Sequence, residues 1–202
     1  MDAAAGRLRP DMSGRFPLTR RSLGAFLGMP LVFAAARSAD PWSALRSAGH
    51  FALIRHAAAP GVLDPPGFKL DDCSTQRNLS AEGRAQAIRM GDLLRANGIA
   101  AARLHSSQWC RCLDTATLMK LGEVIQQPLL NYFGQDQARR APQADALRAW
   151  IARLELAQPT LLVTHQVVIS DITQSAAQDG EIFVLRREAD GRLIVVGRQS
   201  TL

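Results

Sequence analysis

The stretch Phe51-Ala52-Leu53-Ile54-Arg55-His56-Ala57-Ala58-Ala59-Pro60 sets an apolar run directly against an adjacent arginine and histidine. Four apolar residues closed by charge and then by a proline have the length and composition of a strand buried on both faces, the form taken by parallel strands covered by helices. Such a strand delivers whatever follows it to its carboxyl end. In open α/β sheets that edge is where ligands gather.

Working outward, the same alternation of strand and helix recurs. A short helix is predicted over 42–47, opened by Asp40-Pro41, and a strand over 51–55. A long loop follows over 57–77, rich in Pro60, Gly61, Pro65, Pro66 and Gly67. Ser80 is placed to cap a helix through Ala96, with Ala87, Ile88, Gly91 and Leu94 on one face and Asn97-Gly98 ending it. Further strands are expected over 103–106, around 128–130 and over 160–164. Between and after them, helices are expected from Ser106 or Ser107 to about 121, over 143–156 and over 167–177. A hairpin over 181–187 and 193–198, turning at Asp190-Gly191, closes the chain. The pattern predicts an α/β fold: a three-layer αβα sandwich on a mostly parallel sheet, with a C-terminal antiparallel hairpin and no large cap domain.

The first 39 residues read differently from the rest. Thr19-Arg20-Arg21-Ser22-Leu23 is a twin-arginine pair ahead of an apolar segment to Ala36, too short for a spanning helix of about 20 residues and ending in Ala34-Ala35-Ala36. The expected organisation is an export signal and cleavage region over 1–39 and one domain over 40–202. This places the protein in the periplasm, or otherwise outside a bacterial cytoplasm, with the twin-arginine export machinery as a partner and no membrane span in the mature chain. The formal charge of +6, from 24 basic and 18 acidic residues, falls to +3 once five arginines and two aspartates before residue 37 are set aside. That is too mild to argue for nucleic acid.

Three cysteines, Cys73, Cys110 and Cys112, suit an oxidising compartment with one disulfide and one thiol left over. Cys110 and Cys112 diverge by about 200° on a helix, so Cys73 bridged to one of them is expected, with three buried thiols as the alternative. The spacing matches no zinc pattern, and the absence of a Cys-x-x-Cys pair argues against thiol redox chemistry.

Arg55-His56, the segment from Ser106 to Arg111, and Thr164-His165 all fall just past predicted strand ends. Two arginines and two histidines at one sheet edge suit a tetrahedral dianion. Arginine offers a planar fork of permanently charged donors, and a neutral, oriented histidine can attack phosphorus. A second histidine, protonated, would offset the charge that develops on the transferring group.

On these residues the sequence resembles the histidine phosphatase (phosphoglycerate-mutase-like) superfamily. The likeness rests on Leu53-Ile54-Arg55-His56-Ala57, on Leu79-Ser80-Ala81-Glu82-Gly83-Arg84-Ala85-Gln86-Ala87, on the run from Ser106-Ser107 through Arg111 to Thr115-Ala116, and on Val163-Thr164-His165. The resemblance implies that His56 forms a phosphohistidine, that Arg55 and Arg111 clamp the phosphate, and that His165 completes the pocket. It implies neither metal nor organic cofactor, and a phosphorylated small molecule or envelope glycan as substrate, with cell-envelope sugar phosphates suggested by the compartment.

Two departures carry weight. Ala57 stands where the signature has glycine, and Asn131 where many members carry a glutamate that protonates the leaving group; an amide cannot do that. Asp136 is the nearest carboxylate, with Asp64, Asp71 and Asp72 as other candidates in the long loop. Gln166 either reaches the substrate or caps the next helix, and Lys69 and Arg77 are further loop groups placed to meet a substrate. The reading is an exported phosphomonoester phosphatase. Its alternatives are a phosphate or phosphoglycan binding protein without turnover and a phosphohistidine protein phosphatase.

Overall fold

The computed structural model describes residues 40–134 and 136–202. The leader expected over 1–39 lies outside the described residues. Among the described residues, five α-helices and six strands follow one another as α1 (Pro41–Leu45), β1 (His50–Arg55), α2 (Ala81–Ala96), β2 (Arg103–Ser106), α3 (Cys110–Met119), β3 (Val124–Gln126), α4 (Arg140–Arg153), β4 (Thr160–Thr164), α5 (Gln166–Thr173), β5 (Ile182–Arg187) and β6 (Leu193–Gln199). The strands make one sheet in the order β3-β2-β4-β1-β5-β6. The first four are parallel and the last two antiparallel, so the expected sheet with its closing hairpin is observed.

Residues 51–54 are fully buried because both faces of β1 are covered. Ala52 and Ile54 pack with Ala87, Met90 and Leu94 of α2 and Ala116 and Met119 of α3. Phe51 and Leu53 point the other way, toward Leu147 and Ile151 of α4 and Val168 and Ile169 of α5. Each large side chain so buried contributes roughly 1.5–3 kcal/mol. The alternation makes the three layers: α1, α2 and α3 on one face, α4 and α5 on the other. Among the described residues no helix is long and apolar enough to cross a membrane.

Four elements differ from expectation. The strand expected around 128–130 lies earlier, at Val124–Gln126; Pro128 has no N–H for a ladder and starts a 3₁₀ turn instead. Neither Ser106 nor Ser107 caps α3, which begins at Cys110 after Trp109 and has no side-chain cap. The fourth helix starts at Arg140 rather than 143, since Pro142 falls in its first turn, where a missing N–H costs nothing. The last helix ends at Thr173, with Gln174 left-handed at φ 56°. Ser80 does cap α2, accepting from the Gly83 amide at 3.0 Å.

The start of α2 is pressed against the loop that leaves β1. The Ala58 amide donates to Gln86 Oε1 (2.9 Å), and the Ser80 amide donates to the Ala58 carbonyl (3.1 Å). A β-carbon on Gly83 would lie 1.9 Å from that carbonyl oxygen, so only glycine fits. Gly83→Ala is therefore expected to push the backbone next to His56 outward. It should lower stability by about 1–3 kcal/mol, as overpacking does, and lower activity further than stability alone accounts for. Thermal melts beside initial rates separate the two effects.

Candidate active site

Parallel strands β1 and β4, together with the loop after β2, place the basic residues at one edge. The His56 amide donates to the Thr164 carbonyl (3.0 Å), the His56 carbonyl accepts from Gly180 (3.0 Å), and the Ser107 amide donates to Val163 (2.9 Å). The sheet itself thus fixes the backbone on either side of the site. The result is a cavity of about 390 Å³ lined by Arg55, His56, Arg77, Arg111, His165 and Gln166, with Tyr132, Val62 and Val167 in its walls. The His56 and His165 rings stand edge to face with centroids 5.5 Å apart.

His56 is 2% exposed, and its Nδ1–H donates to the carbonyl of Ala57 at 2.8 Å. That bond fixes the tautomer and leaves Nε2 as a bare lone pair. Burial is the largest influence on the ring's basicity. The bond to Ala57 opposes it, the charges of Arg111, Arg55 and Arg77 reinforce it, and the pKa falls from 6.5 to about 3. The folded pKa lies below the unfolded one, so between the two values the unfolded chain binds a proton that the folded ring refuses. Stability is then complete above 6.5 and lost as pH falls toward 3, by about 2 kcal/mol at about pH 5 from this ring alone. Thermal melts between about pH 7 and pH 5 should show this decline, and a His56→Gln variant should show less of it.

His165 is 2% exposed, and its pKa is pushed well below the ordinary value by burial first and Arg111 next, so its ring is neutral too. Its Nε2 lies 2.9 Å from Ser107 Oγ, which donates in turn to Asn131 Oδ1 at 3.2 Å. The Gln108 amide also donates to Asn131 Oδ1, at 2.8 Å, so the amide oxygen faces this chain and the His165 proton sits on Nε2. The expected imidazolium is therefore absent from this protein environment. An anion bound among these groups would offset the repulsion of the arginines and favour the protonated ring. Asn131 is a structural residue here, buried and holding the 107–108 turn.

All three arginines in the cavity are anchored by their terminal nitrogens. Arg111, 1% exposed, gives Nη1 and Nη2 to Asp64 at 2.8 and 3.3 Å. Arg55 gives Nη1 to the Ala177 carbonyl at 2.7 Å and pairs through Nη2 with Asp179 at 2.8 Å. Arg77 gives Nη1 to the carbonyls of Ala59 (2.6 Å) and Gly61 (3.1 Å). In each of the three, Nε is buried without a partner. Such an orphaned donor is costly unless something answers it.

Asp136 is not brought to the site. It is exposed, and its carboxylate caps a 3₁₀ turn by accepting from Ala138 at 3.1 Å. Asp64 is not an acid either. Burial would raise its pKa, but hydrogen bonds from the Arg77 amide, Arg111 and Trp109 outweigh that and hold it below the ordinary carboxylate range. Among the described residues, no carboxylate lines the cavity. Cys73 is bridged to Cys110, leaving Cys112 free, buried and pushed up to about 12 by that burial. The disulfide joins the long loop to the residue before Arg111.

No family model matches the chain, and no curated protein matches its sequence. Solved structures do. The protein histidine phosphatase SixA, complexed with tungstate, superposes with a TM-score of 0.54 at 15% identity, over 75% of this chain and 97% of that one. A mycobacterial glucosyl-3-phosphoglycerate phosphatase gives 0.56 at 16% identity, over 73% and 97%. The phosphoserine phosphatase of Entamoeba histolytica, in complex with phosphoserine, gives 0.55 at 14% identity, over 75% and 97%. The fold is that of the histidine phosphatases.

Within this histidine phosphatase fold, Arg55, His56, Arg111, His165 and Gln166 come together as the sequence suggested, whereas Asp136 stands apart and Lys69, Asp71 and Asp72 of the long loop do not line the cavity either. Arg77, expected as a loop group placed to meet a substrate, does line the cavity. Tyr132 and Val62 reach the cavity, and Asp64 reaches Arg111, through the path of a loop, which leaves no local signal for the parts they play.

Proposed function

We propose that this protein is a phosphatase that hydrolyses phosphomonoesters through a phosphohistidine on His56. The observation that carries this reading is the set of buried, unpartnered Nε–H donors around a neutral His56 whose Nε2 is free. Such donors suit the oxygens of a phosphoryl group, and the neutral ring suits in-line attack. In the first step the Nε2 lone pair forms the N–P bond while the bond from phosphorus to the leaving oxygen breaks. Arg55 and Arg111 hold the peripheral oxygens, and His165, protonated once the dianion is in place, donates to one of them. Water then attacks phosphorus, and the N–P electron pair returns to the ring.

The lining of the cavity restricts the leaving group. With no carboxylic acid on it, departure depends on the leaving group's own basicity. Rates over a series of substituted phenyl phosphates are expected to fall steeply as the phenol becomes more basic; a flat series would reveal a proton donor. Asp136→Asn should leave p-nitrophenyl and alkyl phosphate rates unchanged, because its carboxylate is committed to a turn outside the cavity. The same lining favours a second reading, a phosphohistidine protein phosphatase, since a phosphorylated imidazole departs without an oxyacid's proton.

We also place the activity outside the cytoplasm, on cell-envelope sugar phosphates. The support is the Arg20-Arg21 leader, together with the Cys73–Cys110 disulfide, which persists in an oxidising compartment. Cell fractionation of a tagged full-length chain and of an Arg20→Lys, Arg21→Lys variant tests the location. Retention of the variant alone in the cytoplasm is the expected result.

A further inference from the structure

We propose that Arg77, on the long loop between β1 and α2, is a third direct ligand of the phosphoryl group. This rests on the phosphatase reading above and adds a residue to it. Arg77 belongs to none of the strand ends that carry the other basic groups. It enters the cavity from above, where it is a lining residue beside His56, Arg55 and Arg111.

Three observations converge. The first is the pattern of bonding. A guanidinium whose only task was to hold the loop would need no more than the two carbonyls that Arg77 Nη1 already meets, those of Ala59 and Gly61. Yet its Nε is buried and unanswered, in the same condition as the Nε of Arg55 and Arg111. Three such donors match the three non-bridging oxygens of a phosphoryl group.

The second observation is charge. The cavity gathers three guanidinium groups and two histidines held neutral. Two carboxylates form ion pairs with these arginines, Asp64 with Arg111 and Asp179 with Arg55, while among the described residues Arg77 makes no ion pair of its own and feels both carboxylates only from a distance. Burial first and then the charges of Arg111 and Arg55 lower the Arg77 pKa, and Asp64 and Asp179 oppose them without reversing the direction, so the fold keeps this charge at a cost that an oxyanion would offset.

The third is mechanical coupling. The Arg77 amide donates to Asp64 Oδ1 at 2.9 Å, and Arg111 Nη1 lies 3.3 Å from the Arg77 carbonyl. Asp64 takes Arg111 at the end of its fork and so leaves the Nε edge of that residue for the ligand. The loop that supplies Arg77 therefore also orients Arg111, and the Cys73–Cys110 bridge ties it down beside both. Asp64 is in these terms a positioning residue for Arg111.

The test uses the full-length protein and tungstate as the oxyanion probe, with calorimetric affinity and p-nitrophenyl phosphate turnover measured for wild type, Arg77→Lys and Arg77→Ala. The expected result is tungstate binding weakened about 10- to 100-fold in Arg77→Ala, as fits loss of a charge-assisted hydrogen bond, with kcat/KM reduced in parallel. Arg77→Lys should recover part of the affinity, and added methylguanidinium should restore part of the activity of Arg77→Ala. Loop disorder alone would not respond to a soluble guanidinium, so an absence of rescue together with a lowered melting temperature overturns the proposal. Unchanged tungstate affinity in Arg77→Ala overturns it as well. Wild-type protein that neither binds tungstate nor releases phosphate would instead sink the phosphatase reading beneath it.

Discussion

His56→Ala is expected to abolish phosphate release, by roughly 10³-fold or more, while leaving the protein folded. The size of the loss follows from the position of the ring. His56 is the one histidine in the cavity whose tautomer is fixed by a backbone carbonyl with the opposite nitrogen left free. Its neighbour His165 has its Nε2 proton directed to Ser107, and in this reading its Nδ1 serves the phosphoryl oxygens rather than phosphorus. The fold should survive because the backbone bonds of His56 to Thr164 and Gly180 do not involve its side chain. Removal of a neutral ring from among three arginines also leaves no charge unpaired. The check is a rate beside a melting curve: a variant that melts like wild type and releases no phosphate is the expected pair. A variant retaining more than about a tenth of the activity would remove His56 as nucleophile.

Arg111→Ala is expected to cost both activity and stability, and to destabilise the fold more than Gly83→Ala does. Arg111 and Asp64 are 2% and 1% exposed at their side chains, and the pair is doubly hydrogen-bonded. Removing one member of a buried pair strands the other. The usual penalty is about 3–5 kcal/mol. Asp64 would retain the Arg77 amide at 2.9 Å and Trp109 Nε1 at 3.1 Å, but no countercharge to meet it end-on. The double variant Asp64→Asn, Arg111→Gln should recover much of the stability and none of the activity, because the stranded charge is gone and the clamp with it. Urea unfolding of the two variants beside wild type measures the difference. Equal stability of Arg111→Ala and wild type would show that the pair does not form in solution.

Much of this arrangement was legible in the residues. The run from Phe51 to Ile54 announced a strand covered on both faces, and Arg55-His56 directly after it announced the edge where chemistry gathers. Thr160 to Thr164 announced its parallel partner in the same way, since a continuous β-branched and apolar run admits few other readings. The helix capped at Ser80 was equally clear, and its Gly83 and Gln86 proved to brace the loop beside His56 rather than touch the site.

What could not be read is what depends on the path of the chain between elements. Asp136 stood nearest in sequence to the place of the missing acid, but the turn it caps faces solvent, and proximity in sequence says nothing of direction across a loop. Asp64 was one carboxylate among several in a proline-rich stretch; only the fold brings it to Arg111, 47 positions away. The shift of the third strand to Val124–Gln126 has a simpler cause, a proline whose missing N–H outweighs the apolar run that follows it.

The central claim is that phosphorus passes through a covalent bond to His56. Full-length protein, wild type and His56→Ala, should be incubated with a labelled phosphodonor and stopped without acid. A label on the wild type that is stable to base, lost in acid and absent from the variant is the predicted result. Wild-type protein that binds tungstate yet acquires no label and releases no phosphate would contradict it, and would make the cavity a binding site rather than a catalytic one.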